Sequence, residues 1–366
     1  MIAKALLLIL AACASISACA QSGSGQSGAS RPQTPLPPFP YTSEEVSYSN
    51  PDRVGVKLAG TLTLPQGSGP YPVVLLISGS GAQDRDESLL DHKPFLVLAD
   101  YLTRRGIAVL RVDDRGVGGS TGASAGDTTA DFASDVVAGI AWLASRKEID
   151  RERIGLLGHS EGGTIAPMVA SKDSRVMFVV LVAAPAMNGA DIIVEQVRAL
   201  NLAAGRPTFA ANASASTQRR IVDAVLSGGD EAGARTAVTT LMANLGAPPL
   251  DEITMRQLTS AWYRYFLAYD PAPSLRALRI PVLAINGDRD VQVPTSRNEP
   301  AMRSALEKNA RAEVVVLSGL NHLLQTADTG AVTEYQQIEE TIAPQALKAI
   351  GDWVQRTVGS GSSTPP

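Results

Sequence analysis

The chain has 366 residues, of which 45% are hydrophobic and 19% charged, a composition typical of globular proteins that excludes a largely disordered chain. Its 32 basic and 36 acidic residues give a net charge of −4 without a clustered basic run, which excludes nucleic acid as a partner. Both cysteines, Cys13 and Cys19, lie in the first twenty residues, so the rest of the chain has no cysteine for a zinc cluster, a disulfide or a thiol nucleophile.

The N-terminus is typical of an export signal. Lys4 precedes a short apolar run that ends in small residues, and the segment 1–20 is too short to span a membrane as an ordinary helix. Residues 16–19, Ile-Ser-Ala-Cys, resemble a bacterial lipobox and predict a lipid on Cys19. We therefore expect an exported lipoprotein of the periplasm or outer membrane, attached to the membrane through Cys19. Cleavage after Ala20, which would release a soluble secreted protein, is the alternative.

Flexible segments are predicted on both sides of the folded part. Residues 21–40 are rich in Ser, Gly, Gln and Pro and lack the apolar surface needed to fold, which predicts a flexible linker. Residues 359–366 have a similar composition and predict a disordered tail. The folded domain is expected over 41–358.

The domain begins with residues that alternate between apolar and polar. Residues 54–58 and 60–64 predict an antiparallel pair of strands. Continuous apolar runs follow, as expected of strands buried on both faces, and helical patterns separate them, which predicts crossover connections and a mostly parallel α/β sheet. The runs are 72–77, 107–112, 153–157, 178–182, 281–285 and 313–317. The helices are predicted to begin near Pro94, Thr129, Ser160, Asn298 and Pro344.

One interval interrupts this alternation. Residues of about 187–275 have a largely helical pattern and predict a helical insertion, a lid over the active site. Its aromatic residues recur with helical spacing and form one face. That face either packs in the core of the insertion or faces substrate, and both interpretations can hold for different members of the set. The set is Trp262, Tyr265, Phe266 and Tyr269.

A nucleophile motif lies where a strand passes into a helix. Residues 158–162, Gly-His-Ser-Glu-Gly, match G-x-S-x-G and follow the apolar run that ends at Leu157. In such an elbow the serine is forced into a strained conformation that exposes its hydroxyl, while the flanking glycines let neighbouring backbone approach. The motif predicts Ser160 as the nucleophile of a serine hydrolase.

A serine hydroxyl needs a base, and the chain has 3 histidines. His159 lies in the elbow, where we expect its side chain to point away from Ser160. His92 lies upstream of the elbow at the start of a helix. His322 follows the last apolar strand, where a Ser–Asp–His order along the chain places the general base. Elimination and position therefore favour His322.

An acid is required to orient that imidazole, and two candidates follow the penultimate strand. The segment 286–294 contains Asp288 and Asp290 and resembles the G-x-x-D-x-x-V-P pattern of many α/β-hydrolases, which favours Asp290. Asp288 is then a turn residue that bonds its own loop.

Two backbone N–H groups are expected to stabilise the oxyanion of the tetrahedral intermediate. One belongs to Glu161, the residue after the nucleophile, and the other to the loop 78–82, where Ser80 is favoured and Gly81 is the alternative. Charged residues at 84–87 and 113–115 are expected to pair with one another and to hold this loop in shape.

Several motifs together resemble the secreted bacterial α/β-hydrolases of the EstD carboxylesterase type. The resemblance spans most of the stretch 41–357. It implies an α/β-hydrolase fold, with a mostly parallel sheet between helices, and hydrolysis of short-to-medium acyl esters by a Ser–Asp–His triad without metal or organic cofactor. The segments that carry it are Ser78–Gly81, Asp84–Glu87, Asp114–Gly118, Gly158–Gly163, Tyr269–Pro271, Asn286–Gly287 with Asp290, Asn321–His322, Glu334–Tyr335 and Glu340–Pro344.

Other functions on the same fold remain open from the sequence. A serine peptidase of the prolyl-oligopeptidase type shares the elbow, although such enzymes usually carry a β-propeller that the residues before this domain are too few to build. An acyltransferase would have the same site, with an alcohol in place of water. A non-catalytic binding module would be expected to lack a member of the triad, and all three positions are filled. The expected partner is a small-molecule ester, and the sequence does not predict the oligomeric state.

Overall fold

The structure is a computed structural model and describes residues 30–359. The predicted export signal with Cys13 and Cys19, the first part of the predicted linker and most of the predicted tail lie outside these residues. The described chain forms an eight-stranded sheet with the strand order β1-β2-β4-β3-β5-β6-β7-β8. The strands are β1 Tyr41–Ser49, β2 Lys57–Pro65, β3 Tyr71–Ile77, β4 Ala108–Val112, β5 Ile149–His159, β6 Val176–Val182, β7 Val282–Gly287 and β8 Ala312–Leu317.

Helices connect the strands as the alternating pattern predicts. The strands from β3 to β8 pair in parallel, and only β1 and β2 run antiparallel to their neighbours. The helices are α1 Pro94–Thr103, α2 Thr129–Ala144, α3 Gly162–Ala170, α4 Gly189–Ala203, α5 Thr208–Ser227, α6 Glu231–Asn244, α7 Glu252–Thr259, α8 Ala261–Ala268, α9 Ala272–Ala277, α10 Thr295–Leu306 and α11 Pro344–Gly359, with a 3-10 turn at Val332–Glu334.

The predicted N-terminal hairpin is wrong in its register. β2 passes unbroken through Gly60 and pairs with β1, whereas residues 54–56 belong to the connection between these two strands. A Cβ atom on Gly60 would lie 2.4 Å from the carbonyl oxygen of Arg111 in β4. The glycine therefore permits a close approach of two strands, while Gly55, at φ +83°, takes part in the turn.

The sheet has an apolar core on each face because successive side chains of its strands point to opposite sides. In β3, Val73 and Leu75 pack in the core that holds α2, α3, α9 and α10, whereas Val74 and Leu76 pack against α1 and α11. This arrangement confirms the predicted α/β sheet flanked by helices.

Helices α4–α8 form the predicted insertion between β6 and β7. They have an apolar cluster of their own, in which Ile221 and Val222 of α5 pack with Tyr263 and Leu267 of α8. None of the helices within residues 30–359 has both the length and the apolar character needed to cross a membrane.

Residues 30–40 differ from the flexible linker that their composition predicts. The guanidinium of Arg31 donates hydrogen bonds to three backbone carbonyls beyond this stretch, and the carboxamide of Gln33 both accepts from and donates to the backbone of Ile342. The carbonyls bound by Arg31 belong to Leu90, Gln336 and Ile338. Specific polar contacts thus hold this stretch against the domain without an apolar core of its own.

Candidate active site

The candidate site lies where the strand order reverses, between the carboxyl ends of β3 and β5. The loop after β3, residues 78–82, is called the oxyanion loop below. It faces the turn that joins β5 to α3 and carries Ser160. Open parallel sheets bind their ligands at such a point because the two loops diverge there and leave a crevice.

Ser160 has the strained backbone of a nucleophile elbow, with φ at +52°. The surrounding glycines are required by crowding: a Cβ atom on Gly158 would lie 2.0 Å from the carbonyl oxygen of Gly162, and one on Gly162 would lie 2.1 Å from that of Ile77. Helix α3 begins at Gly162 and directs its positive end toward the site.

His322 and Asp290 form a buried pair, with exposed fractions of 4% and 3%. The Nδ1 atom of His322 lies 2.8 Å from Oδ2 of Asp290. The other carboxylate oxygen accepts the N–H groups of Gln292 and Val293, each at 2.8 Å. An acceptor-only carboxylate keeps the proton on Nδ1 and leaves Nε2 of His322 as the basic nitrogen.

Asp288, the second acid candidate, does not bond its own loop, contrary to expectation. It accepts hydrogen bonds from the Ser318 hydroxyl at 2.9 Å and from the N–H of Gly319 at 2.6 Å, both in the loop after β8. Asp288 therefore joins the loops after β7 and β8, while Asp290 is the carboxylate that bonds His322.

Ser160 and His322 line one cavity of about 100 Å³ between the sheet and the insertion. Ser80 and Glu161 line the same cavity, so the residues predicted to react and to stabilise the oxyanion come together. The hydrogen bonds among the described residues do not join the Ser160 hydroxyl to His322. Catalytic hydrogen bonds of this kind commonly tighten only when substrate binds.

The backbone amides of Ser80 and Glu161 remain available. Neither donates a hydrogen bond to another residue of the described chain, whereas the neighbouring N–H of Gly79 is taken up by the Glu87 carboxylate. Two free backbone N–H groups beside Ser160 are what an oxyanion-binding site requires.

The side chain of Glu161 has a role that sequence reasoning missed. Its Oε1 atom accepts from Thr129 of α2 at 2.7 Å and from the indole N–H of Trp262 in α8 at 2.8 Å, and the carboxyl also bonds the Ser80 side chain. Burial raises the pKa of Glu161, and these hydrogen bonds oppose the rise. Glu161 therefore ties the insertion to the oxyanion loop. A charged residue directly after the nucleophile was the available signal.

The four aromatic residues of the insertion form two pairs, one at the cavity and one in the core, so each interpretation holds for two of them. Trp262 and Phe266 stack with ring centroids 5.7 Å apart and line the cavity. Tyr265 and Tyr269 stack at 5.8 Å and pack against the main core. The side of α8 that faces the cavity thus forms a rigid aromatic wall.

The charged residues at 84–87 and 113–115 pair with one another only in part. Arg85 binds Asp113 at 2.8 Å, whereas Asp86 binds Arg111 and Arg115 binds Asp127 and Asp135, which lie outside the predicted set. Burial raises the pKa of Asp114 to about 7, although this carboxyl accepts hydrogen bonds from the N–H of Gln83 and the hydroxyl of Ser78. These contacts connect the oxyanion loop with the loop after β4.

The hydrogen bonds of the His159 ring go to Glu87 and to the backbone of His322 and not to Ser160, yet the residue still lines the cavity. Its ring lies against that of His322, with centroids 4.9 Å apart, and it bonds Glu87. Nothing in the local sequence pairs these residues, because Glu87 lies seventy-odd positions upstream and reaches His159 only in the folded sheet. Across residues 30–359, no group of three or more His, Cys, Asp or Glu side chains has an arrangement that could hold a metal ion.

This fold and this site define an enzyme of the α/β-hydrolase class. The chain belongs to the X-Pro dipeptidyl-peptidase (S15) family, whose sequence profile matches residues 54–323. It is also similar to the esterase EstD of Thermotoga maritima, with 29% identity over 309 residues that make up 84% of this chain and 68% of EstD. The esterase FrsA of Yersinia pestis is 31% identical over 129 residues, 35% of this chain and 28% of FrsA.

Solved structures share the fold. The Pyrococcus furiosus esterase Pf2001 superposes with a TM-score of 0.54 at 16% identity, covering 90% of this chain and 97% of that one. The α/β-hydrolase GrgF from Penicillium gives 0.54 at 19% identity, covering 87% and 99%. The predicted α/β-hydrolase fold and the resemblance to EstD-type esterases are confirmed, and with them the class of esterase-type hydrolase.

Proposed function

We propose that the chain is a serine carboxylesterase that hydrolyses short-to-medium acyl esters through an acyl-enzyme. Ser160 is the nucleophile, His322 the general base and Asp290 the residue that orients it. The backbone N–H groups of Ser80 and Glu161 stabilise the oxyanion. The carrying observation is the juxtaposition, in one cavity, of a serine in elbow conformation and a buried histidine whose Nδ1 bonds a carboxylate.

The reaction takes place in two halves. In the first, the Ser160 Oγ attacks the ester carbonyl while Nε2 of His322 accepts the hydroxyl proton. The former carbonyl oxygen becomes an oxyanion that accepts the two free N–H groups. Collapse of this intermediate breaks the ester C–O bond, and His322 gives its proton to the leaving alkoxide. In the second half, water gives a proton to Nε2 of His322 and attacks the acyl carbonyl, forming a second oxyanion. Collapse of this intermediate breaks the bond between the acyl carbon and the Ser160 Oγ, which takes the proton back from His322, and the acid is released.

The size of the cavity supports a short acyl group. One water-sized group needs roughly 10–15 Å³ of such volume. A cavity of about 100 Å³ therefore has room for a short acyl chain with part of its alcohol, whereas a lauryl chain exceeds it. Apolar walls from Ile192, Ile193 and Val293 suit an aliphatic acyl chain.

Hydrolysis of p-nitrophenyl esters from acetyl to laurate tests the proposal. We expect the highest kcat/KM at short chains and loss of turnover in Ser160→Ala, which removes only the reacting hydroxyl. The melting temperature of Ser160→Ala serves as the control for folding. Retention of most activity in this variant would contradict the assignment of the nucleophile.

A serine peptidase is the second candidate, because the family profile that matches residues 54–323 is that of X-Pro dipeptidyl-peptidases. The same site would cleave an amide by the same steps. Xaa-Pro p-nitroanilides, measured beside the esters with the same Ser160→Ala control, discriminate the two. A higher kcat/KM on the anilides than on any ester would favour the peptidase.

Phe266 is expected to limit the acyl chain length. Phe266→Ala removes one of the two stacked rings that line the cavity and opens space for further methylene groups. Because each buried methylene is worth about 0.8 kcal/mol, we expect the preference to move toward longer chains by several-fold per added methylene. The chain-length series measures this shift. Tyr265→Ala, on the side of α8 that packs against the main core, is the matched control, and an equal shift there would contradict the assignment.

A further inference from the structure

The mechanism leaves one buried charged pair near the reacting groups unexplained. Glu87 and His159 are 6% and 8% exposed and lie beside the cavity. Below them is a small apolar cavity of about 30 Å³ lined by Phe95, Leu98 and Leu157, among others. A charged pair in such apolar surroundings costs desolvation free energy, so its contacts must be strong to maintain it.

The hydrogen bonds of the His159 ring indicate its charge. Nε2 lies 3.1 Å from the carbonyl oxygen of His322, which only accepts, so this nitrogen carries a proton. Nδ1 lies 2.9 Å from Oε1 of Glu87, and the same oxygen accepts the N–H of Gly79 at 2.6 Å. This oxygen already accepts a backbone N–H, and a proton on Nδ1 would make the 2.9 Å contact a second, charge-assisted hydrogen bond to it.

Other charges and the backbone agree with this assignment. Burial by itself lowers the pKa of His159, but the charge and hydrogen bond of Glu87 outweigh it, so the pKa is raised. The titratable groups that face His159 are Glu87, His322 and, at longer range, Asp290. Asp114 faces Glu87 from the loop after β4. Glu87 itself has φ +52°, a strained backbone that persists only where its surroundings hold it.

We propose that Glu87 and His159 form a permanent carboxylate–imidazolium pair that positions the oxyanion loop and the loop of His322 relative to Ser160. Glu87 accepts the N–H of Gly79 in the oxyanion loop, next to the oxyanion donor Ser80. His159 bonds the carbonyl of His322 in the loop of the base. A Cβ atom on Gly79 would lie 3.2 Å from Oε1 of Glu87, 3.3 Å from Cβ of Ser160 and 3.5 Å from Nδ1 of His159, so the pair lies next to the nucleophile. Both are positioning residues, and this role rests on the proposed function.

The charge state is tested by ¹⁵N NMR of the full chain labelled at histidine, which has only 3 such residues. We expect His159, assigned by its absence from His159→Gln, to be doubly protonated at pH 7, above the pKa of about 6.5 at which an ordinary imidazole loses its proton. In Glu87→Gln the carboxylate is gone, and His159 is expected to be neutral at pH 7. A neutral His159 in the wild-type protein at pH 7 would overturn the proposal, and the spectra of His92→Gln and His322→Ala give the same assignment by elimination if His159→Gln does not fold.

Kinetics test the positioning role. Glu87→Gln and His159→Gln are each expected to lower kcat by roughly 10- to 100-fold with little change in KM, because a misplacement of about 1 Å affects the transition state more than substrate binding. The double variant is expected to lose no more than the worse single variant, since the residues act as a unit. Additive losses, or unchanged kcat in both single variants, would overturn the proposal.

His92→Gln is the matched control, because His92 is also a buried histidine that bonds a backbone carbonyl, that of Tyr335 at 2.9 Å. It is expected to lower the melting temperature and to lower kcat by several-fold at most, well short of the losses expected for Glu87→Gln and His159→Gln, because His92 reaches the loop of His322 only through Gln325. The proposed function is tested separately by Ser160→Ala. If the wild-type protein hydrolyses no ester, the proposed function fails, while the NMR titration still reports on the pair.

Discussion

His322→Ala is expected to lower kcat/KM for the preferred ester by about 10⁴-fold or more, the size of effect that loss of the base has in serine hydrolases of this kind. Without the imidazole, the Ser160 hydroxyl keeps its proton during attack and the leaving alkoxide receives none. His322 borders the cavity, so water can fill the space that the ring leaves. The variant should stay folded, with a lower melting temperature, because the buried carboxylate of Asp290 loses its partner at Nδ1.

His92→Ala is expected to show the opposite pattern. His92 is fully buried and bonds Thr341, the carbonyl of Tyr335 and the side chain of Gln325. Its removal leaves buried polar groups unpaired and a small cavity, at a cost of about 2–4 kcal/mol in the free energy of unfolding. The kcat of the folded variant should fall by several-fold at most, because His92 contacts the loop of His322 only through Gln325. Similar losses of kcat in His92→Ala and His322→Ala would contradict the choice of His322 as the base.

The pH dependence of stability provides a further check on His92. Burial lowers the pKa of this imidazole, so the native state favours its neutral form. A group with a depressed pKa on folding contributes stability above its unfolded pKa, here about 6.5, and loses it as the pH falls. Denaturant unfolding should show this acid-side loss in the wild-type protein and a smaller one in His92→Ala.

The elbow was predictable because its signal is local. Ser160 lies in a five-residue motif between a strand and a helix. The two glycines of the motif are required there, because a Cβ atom on either would lie only 2.0–2.1 Å from a backbone carbonyl oxygen. The strands from β3 to β8 were likewise predictable, since strands buried on both faces are continuous apolar runs. The acid needed more than local sequence: Asp288 and Asp290 both follow β7, and only the folded position of the loop after β8 decides which of them meets His322.

Long-range contacts account for what the sequence did not predict. Gly60 has the appearance of a turn glycine along the chain, yet it is explained by the backbone of β4, which approaches it. The side chain of Glu161 has a partner in an insertion helix, Trp262, which is 101 residues away along the chain. The side chain of His159 has its partner in Glu87, which is 72 residues away. No pattern of spacing contains such pairs, because only the folded sheet brings them together.

The N-terminal stretch 30–40 provides the second large expected effect. A chain that begins at Tyr41 is expected to unfold at a lower temperature than one that begins at Ser30. It lacks the hydrogen bonds that Arg31 and Gln33 make to the domain, each worth about 0.5–1.5 kcal/mol.

The same truncation should reduce activity, because the segment that Arg31 and Gln33 hold supports the loop of the base. Within this segment, the carbonyl of Glu340 accepts from Gln325, whose side chain also bonds Asn321, the neighbour of His322. We expect kcat to fall by several-fold in the chain from Tyr41, measured well below its melting temperature.

Point variants separate these contacts from the length of the chain. Arg31→Ala combined with Gln33→Ala, in the chain from Ser30, should reproduce most of the loss in stability. Leu36→Ala is the control within the same stretch, since this side chain is 75% exposed and should change nothing. Equal melting temperatures for the chains from Ser30 and Tyr41 would mean that residues 30–40 only lie on the domain, as the composition predicts. A loss reproduced by the double variant would instead move the functional boundary of the domain to Arg31, because the contacts that order the base would then begin there.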